Sequence, residues 1–533
     1  MRPPSLLAAL LLAAIVGQPL PALARADLPG SRPSLARRLD ALLSDPALAG
    51  DQVGLVVLDR KGEVRYARNA RKRFLPASCR KVLTTACALS LLGPSYRIPT
   101  RVEALGPLHG DTVEGDLALI GAGDPSLDDA ALAELARQVA DLGIRRITGQ
   151  VVGDGSAFSP AVSRPVGWSQ DDLAWYYAPP IAALEADEDR LHLEIQPPAS
   201  PTPIRRGDLA ADPPAAGSPR VLAAPSDAPY VTVQPAGTPG SDLPDARIPV
   251  RVALASGPQG VEVEPTRNGL ILEGQAQARA FLDLAAPRPL HYAAWRLEHA
   301  LEAAGVRVEG RPPADDPASR WTDASPPGSA PPPSAWLPRI LATHRSAPLS
   351  GLIARTNKPS DNLYAELLLR QIALAAPDRL PGTPPRPRVL PGDTLGRALA
   401  IERDWLGFDP GTFRLVDGSG LSRYDLLTPL ELAAVLERMR SNTDFVASLP
   451  IAGRDGTLAG RLIGTPAAGV VRAKTGSMSG VSTLAGYVGD RWILVFMDNG
   501  HVGSLAPVRA VEDAVCLALV KAQDRPRRAP ASN

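Results

Sequence analysis

Three short motifs in one chain order constrain this sequence more than any other feature. They are Ser78-Cys79-Arg80-Lys81, Ser360-Asp361-Asn362 and Lys474-Thr475-Gly476-Ser477, and 278 positions (82–359) separate the first from the second. A hydroxyl and an amine three residues apart share one face of a helix, so the Lys81 amine can reach the Ser78 oxygen. Arginine cannot replace lysine there, because a guanidinium keeps its proton in a protein whereas a buried ammonium can lose it. The sequence prefers arginine almost everywhere else. Of 57 basic residues only six are lysines: Lys61, Lys72, Lys81, Lys358, Lys474 and Lys521. Two of the six fall inside motifs and Lys358 lies two residues before Ser360. A fold that uses all three motifs must bring them together around a long excursion of the chain.

The chemistry these residues suit is acyl transfer to serine. Desolvation and the nearby Lys474 charge are expected to lower the pKa of Lys81 from about 10.4. A neutral Lys81 then takes the Ser78 proton as Ser78 attacks a carbonyl. Ser360 and Asn362 are expected on a loop between helices, Ser360 relaying a proton to the leaving amine and Asn362 holding the substrate amide and Lys81. The segment at Lys474 is expected to be an edge strand. Gly476 lets a substrate backbone lie close, while Lys474, Thr475 and Ser477 suit a terminal carboxylate. The backbone N–H groups of Ser78 and Ser477 are the expected oxyanion donors. Singly, each motif has a plainer reading as a helix cap, a turn or a solvated edge charge. Their joint occurrence in this order carries the chemistry.

Composition bounds the rest. A length of 533 residues predicts two to four domains, and 45% hydrophobic residues supply sizeable cores. The net charge of +1 argues against a nucleic-acid surface or a polybasic membrane anchor. Six scattered histidines include no HExxH pair, which argues against a zinc peptidase. Arg2, the apolar run Leu6–Gly17 and the small residues Ala22, Ala24 and Ala26 read as a signal peptide over 1–26. The mature chain is therefore expected outside the cytoplasm, periplasmic or extracellular, with at most peripheral membrane contact. Cys79 and Cys87 lie eight residues apart on a predicted helix, about 12 Å of rise and too far for a mutual bridge.

Periodicity divides the chain. A helix is predicted over 34–45, two strands over 52–70, and a helix from Ser78 to Leu92 stopped by Gly93-Pro94. Residues 107–160 read as a small α/β unit, and 190–285 as short β runs between Pro/Ala/Gly stretches. Further helices are predicted at 291–306, 336–344, 350–357 and 362–376, and beyond a Pro-rich break at 380–392. Two strands (481–489 and 492–499) and a terminal helix close the chain, and 524–533 reads as a disordered tail.

At these motifs the sequence resembles the class C low-molecular-mass penicillin-binding proteins, the peptidase S13 family of D-Ala-D-Ala carboxypeptidases. The stretches LPASCRKVLTTACALSLLGPSYR, GDLALIGAGDPSL, NKPSDNLYAELLL, VDGSGLSRYDLLTP, LPIAGRDGTLAGRL and RAKTGSMSGVSTLAGYV carry the likeness over about 50 to 500. The resemblance implies a multidomain α/β and α+β protein. A β-lactamase/transpeptidase-like domain, an antiparallel sheet flanked by helices, occupies 27–84 and 335–523. An insert at 85–105 and 181–334 interrupts it, and a small α/β unit at 106–180 interrupts that insert. The implied function is a serine D,D-peptidase that hydrolyses D-Ala-D-Ala termini and D-Ala–diamino acid cross-links of peptidoglycan. Stem peptides are the implied substrate and β-lactams the implied inhibitors, with no cofactor and no metal. Trp168, Asp171 and Tyr176 fall where family residues line a side-chain pocket, Asp171 facing a free amine and Met478 closing the same pocket; Trp168 and Tyr176 read equally well as packing aromatics. A β-lactamase and a non-catalytic wall-binding relative are the alternatives. DGSGLSR and the long excursion argue against the first, and the intact motifs against the second.

Overall fold

A computed structural model describes residues 34–196, 220–223, 231–235, 248–253, 260–265, 270–275, 280–310, 339–375 and 393–523. The expected signal peptide, the Pro-rich linkers and the expected tail lie outside these residues. In chain order the main elements are α1 (Leu35–Leu42), β1 (Gln52–Leu58), β2 (Val64–Arg68) and α2 (Lys81–Leu92), then β3 (Pro99–Ala104), β4 (Leu117–Ile120), α3 (Asp129–Asp141) and β5 (Val151–Asp154). They continue with β6 (Arg190–Gln196), β7 (Ala280–Ala285), α4 (Pro289–Ala303) and β8 (Arg339–Arg345). The chain then returns through α5 (Leu349–Asn357), α6 (Asn362–Ala375), α7 (Thr394–Leu406), α8 (Pro429–Met439), β9 (Val471–Met478), β10 (Val481–Val488), β11 (Trp492–Asn499) and α9 (Ala506–Gln523).

The two ends of the chain build one antiparallel sheet, ordered β2-β1-β11-β10-β9. Its strands alternate between two apolar layers. Leu55 and Val57 of β1, with Leu494 and Phe496 of β11, face one core shared with α1 and α9. Val56 and Leu58, with Ile493, Val495 and Met497, face the other, filled by α2, α6, α7 and α8. Both faces are covered, which is why VSTLAGYV is buried along its whole length. Each fully buried Leu, Val or Phe stabilises such a core by roughly 1.5–3 kcal/mol. The strand that carries Lys474 is the sheet's edge, as its sequence predicts.

The excursion forms its own cores. β8-β3-β4-β5 is a second sheet, and Val102, Leu119, Leu135, Leu297 and Leu341 pack with α3 and α4 in one cluster. The stretch expected as a separate unit over 106–180 thus shares its core with β3, α4 and β8. Within the excursion, β6 pairs antiparallel with β7, and Leu191, Leu193 and Leu284 join Tyr292 and Trp295 of α4 in a further cluster.

Two local expectations are corrected. Residues 339–345 are a strand, not part of a helix: they pair antiparallel with β3, and a short apolar run has no periodicity of its own to decide between the two. The helix does not begin at Ser78. Ser78 sits in a tight 3-10 turn, Ala77–Arg80, and the α-helix starts at Lys81.

Candidate active site

The turn at Ser78 is held from several sides. Ala77 adopts a left-handed conformation (φ 44°), costly for a residue with a Cβ. Gly420 passes so close that a side chain there would collide with the Ala77 carbonyl. The Cys79 thiol, fully buried, donates to the Lys474 carbonyl (3.2 Å), and Thr483 Oγ1 donates to the Pro76 carbonyl (2.9 Å). Arg80 is buried in a two-pronged ion pair with Glu402 of α7 (Nη1–Oε1 2.8 Å). The two middle positions of the first motif are therefore occupied by packing and charge pairing.

Lys81 is fully buried and its Nζ has three oxygen neighbours: Ser78 Oγ (2.9 Å), Asn362 Oδ1 (2.6 Å) and the Ser419 carbonyl (2.9 Å). The last two are pure acceptors. Asn362 has no freedom to flip, because its Nδ2 donates to the Tyr177 carbonyl (2.7 Å). A neutral amine has two hydrogens and one lone pair. The hydrogens go to Asn362 and Ser419, so the lone pair faces the Ser78 hydroxyl. Burial pulls Lys81 down to about 8, against the carboxylates of Asp417, Asp361 and Glu366.

Ser360 lies in the turn between α5 and α6 with φ 71°, while Asn362 is the first residue of α6 rather than a loop residue. Ser360 Oγ accepts from Lys474 Nζ (2.8 Å), which also reaches the Thr475 carbonyl (2.8 Å). Lys474 is fully buried, and burial, then the Lys81 charge, holds it well below the usual lysine range. For Lys81, burial is the leading cause, so desolvation and not the Lys474 charge is the main influence there. Gly476 is required by contact: a Cβ would stand 2.8 Å from the Pro76 carbonyl and 2.9 Å from Ser78 N. Thr475 Oγ1 bonds Thr457 Oγ1 (2.7 Å).

These groups open on a cleft of about 610 Å³ lined by Ser78, Ser360, Asn362, Thr475, Ser477 and Met478. Asp171 and Tyr176 line it too, with Tyr176 38% exposed under the Arg190 guanidinium (4.1 Å to the ring centre). Trp168 does not. It is 9% exposed, packs beside Phe158, Ile181 and Leu367, and donates its indole N–H to Asp417 Oδ2 (3.0 Å). Reasoning from sequence missed the groups of DGSGLSR. Asp417 is buried and accepts from Gly420 N (2.7 Å), Ser422 N (2.7 Å) and Ser419 Oγ (3.2 Å). Against its burial, hydrogen bonds from Asp425, Trp168, Gly420 and Ser422 hold it below the usual carboxylate range. The motif was visible; its contact with Lys81 was not.

Comparison with known proteins gives one consistent result. The family model described as D-Ala-D-Ala carboxypeptidase 3 (S13) matches residues 35–519. A D-alanyl-D-alanine carboxypeptidase of Actinomadura sp. strain R39 is 32% identical over 517 residues, covering 93% of this chain and 87% of its own. Among solved structures, penicillin binding protein 4 (dacB) from Haemophilus influenzae superposes with a TM-score of 0.70 at 25% identity, covering 92% of this chain and 99% of that one. A structure of the same protein complexed with a β-lactam gives 0.66 at 23% identity, covering 93% and 100%.

Proposed function

The chain belongs to the S13 family of D-Ala-D-Ala carboxypeptidases, and from that premise we propose that Ser78 is its acyl-accepting nucleophile and Lys81 its general base. The observation that carries the proposal is the arrangement around Lys81 Nζ, in which two fixed acceptors leave the lone pair for the Ser78 hydroxyl. As Ser78 Oγ bonds to the carbonyl carbon of the penultimate D-Ala, its proton passes to Lys81. The oxyanion forms beside Ser78 N, with the Ser477 N–H as the second donor. The C–N bond then breaks as the proton held by Lys81 passes to the leaving amine by way of Ser360, which Lys474 holds at 2.8 Å, and Lys81 is neutral again. In the second half water gives a proton to Lys81 as it attacks the ester carbonyl, and Lys81 returns that proton to Ser78 Oγ as the acyl C–O bond breaks.

The substrate's terminal carboxylate lies against Thr475, Ser477 and Lys474. Among the described residues no carboxylate pairs with Lys474, so this anion supplies the counter-charge that favours its protonated form. Asp171 receives the free amine of a diamino acid side chain, with Tyr176 and Met478 as pocket walls. Cross-links ending in D-Ala present the same carbonyl, which extends the reaction to endopeptidase work on peptidoglycan. β-Lactams acylate the same serine, as the bound β-lactam in the Haemophilus protein suggests. The apolar N-terminal run directs export, and the reaction takes place outside the cytoplasm, in the periplasm or the extracellular space.

The test is Ser78→Ala. Labelling by fluorescent penicillin and release of D-Ala from a pentapeptide should both be abolished, a loss of at least about 1,000-fold. Label that persists on the variant removes Ser78 from this role.

A further inference from the structure

Both acceptors that orient Lys81 are fixed by one stretch of the excursion, residues 168–177. Asn362 is fixed by the Tyr177 carbonyl. The Ser419 carbonyl belongs to the loop 417–422, which is gathered around the Asp417 carboxylate, and Trp168 donates to that carboxylate from across the domain boundary. The same boundary carries two further bonds, Ser422 Oγ to the Val166 carbonyl (2.7 Å) and Arg423 N to the Gly167 carbonyl (3.1 Å). Glu366 of α6 completes the cradle, accepting from Gly418 N and Ser419 N at 2.9 Å each.

We propose that Trp168 is a positioning residue for the acylation step, acting through Asp417 and the Ser419 carbonyl on the Lys81 amine. This rests on the reading of Lys81 as the base. Trp168 stands four residues before Asp172 and eight before Tyr176, both in the cleft, so one short stretch holds both the pocket wall and the support of the base. The consequence is specific. Loss of the indole N–H lowers the rate of acylation for every acyl donor, whatever its side chain, because the defect lies at the base and not in the pocket.

Trp168→Phe keeps a ring in the packed cluster and removes only the donor. The first-order acylation constant, read with a small penicillin and with D-Ala-D-Ala peptides, should fall about 10-fold while KM stays within about twofold. Asp417→Asn keeps the shape and removes the charge. Besides Asp417, the groups facing Lys81 are Asp361, Glu366, the Cys79 thiol and Lys474, and those facing Asp417 are Arg80, Asp425 and Glu366. With one nearby anion gone, the acidic limb of the pH profile of Asp417→Asn should move to lower pH, and its maximum rate should fall. The double variant should be no slower than Asp417→Asn alone, since both changes act on one path.

Three results would overturn the proposal. One is wild-type acylation in Trp168→Phe. Another is a loss confined to KM for diamino acid substrates, which would make Trp168 a pocket wall. The third is a reduced folded fraction whose remaining molecules acylate at the normal rate. Lys81→Met in the same assay separates the two levels: if it still acylates, the base assignment fails; if it is inactive and Trp168→Phe is normal, only the role of Trp168 fails.

Discussion

The two regions that meet at Ser78 hold their side chains differently. The first, from the ends of the chain, presents Lys81 at a helix start and Lys474 on a strand, both with no exposed surface. The second, residues 168–177 of the excursion, is irregular apart from one 3-10 turn at Gln170–Asp172 and an isolated bridge from Trp175 to Leu284, and it leaves Tyr176 38% exposed. In the proposed mechanism the groups that change protonation sit on regular elements in a dry environment, where burial is the leading influence on their pKa values. The groups proposed to contact a variable substrate sit on a loop, anchored to the dry region by one indole and by backbone bonds. The division predicts that damage to the first region is seen with every acyl donor, and damage to the cleft side of the second only with particular substrates.

Of the substitutions that test this division, Gly476→Ala should have the larger effect. Its methyl group would press on Ser78 N, where the oxyanion has to form, and acylation by penicillin and by peptides should fall at least about 100-fold. A fall limited to peptides would break the comparison, because it would place substrate selectivity on the strand. A smaller effect should follow Asp171→Asn. KM for peptides with a free side-chain amine should rise about 10-fold, with penicillin acylation unchanged. If steady-state analysis instead shows a fall in kcat shared by all substrates, the cleft side of the loop is not separable from the chemistry.

The two regions were also unequally legible. The motif residues announce themselves because Ser78 and Lys81 are separated by a single turn of chain, and Lys474 to Ser477 run along one strand. The alternation of β1 and β11 between two cores is likewise written in their apolar residues. Trp168 and Asp417 are 249 residues apart and neither belongs to a periodic element, so only the folded chain reveals their bond. The strand at 339–345 was misread for a related reason: its partner β3 lies more than 230 residues earlier, and a run of that length fits helix or strand equally well. Arg80 shows a constraint that the motif does not carry. Free in the chemical motif, it is fixed in the fold, and removing one partner of a buried ion pair such as Arg80–Glu402 costs about 3–5 kcal/mol.

The central claim is that the amine beside Ser78 is held ready to accept a proton. With six lysines in the chain, nitrogen NMR of selectively labelled lysine side chains can follow it, and Lys81→Met assigns its signal. The account predicts that the Lys81 signal titrates at about 8, well before those of solvent-exposed lysines. A Lys81 signal that stays an ammonium through pH 10 would contradict it.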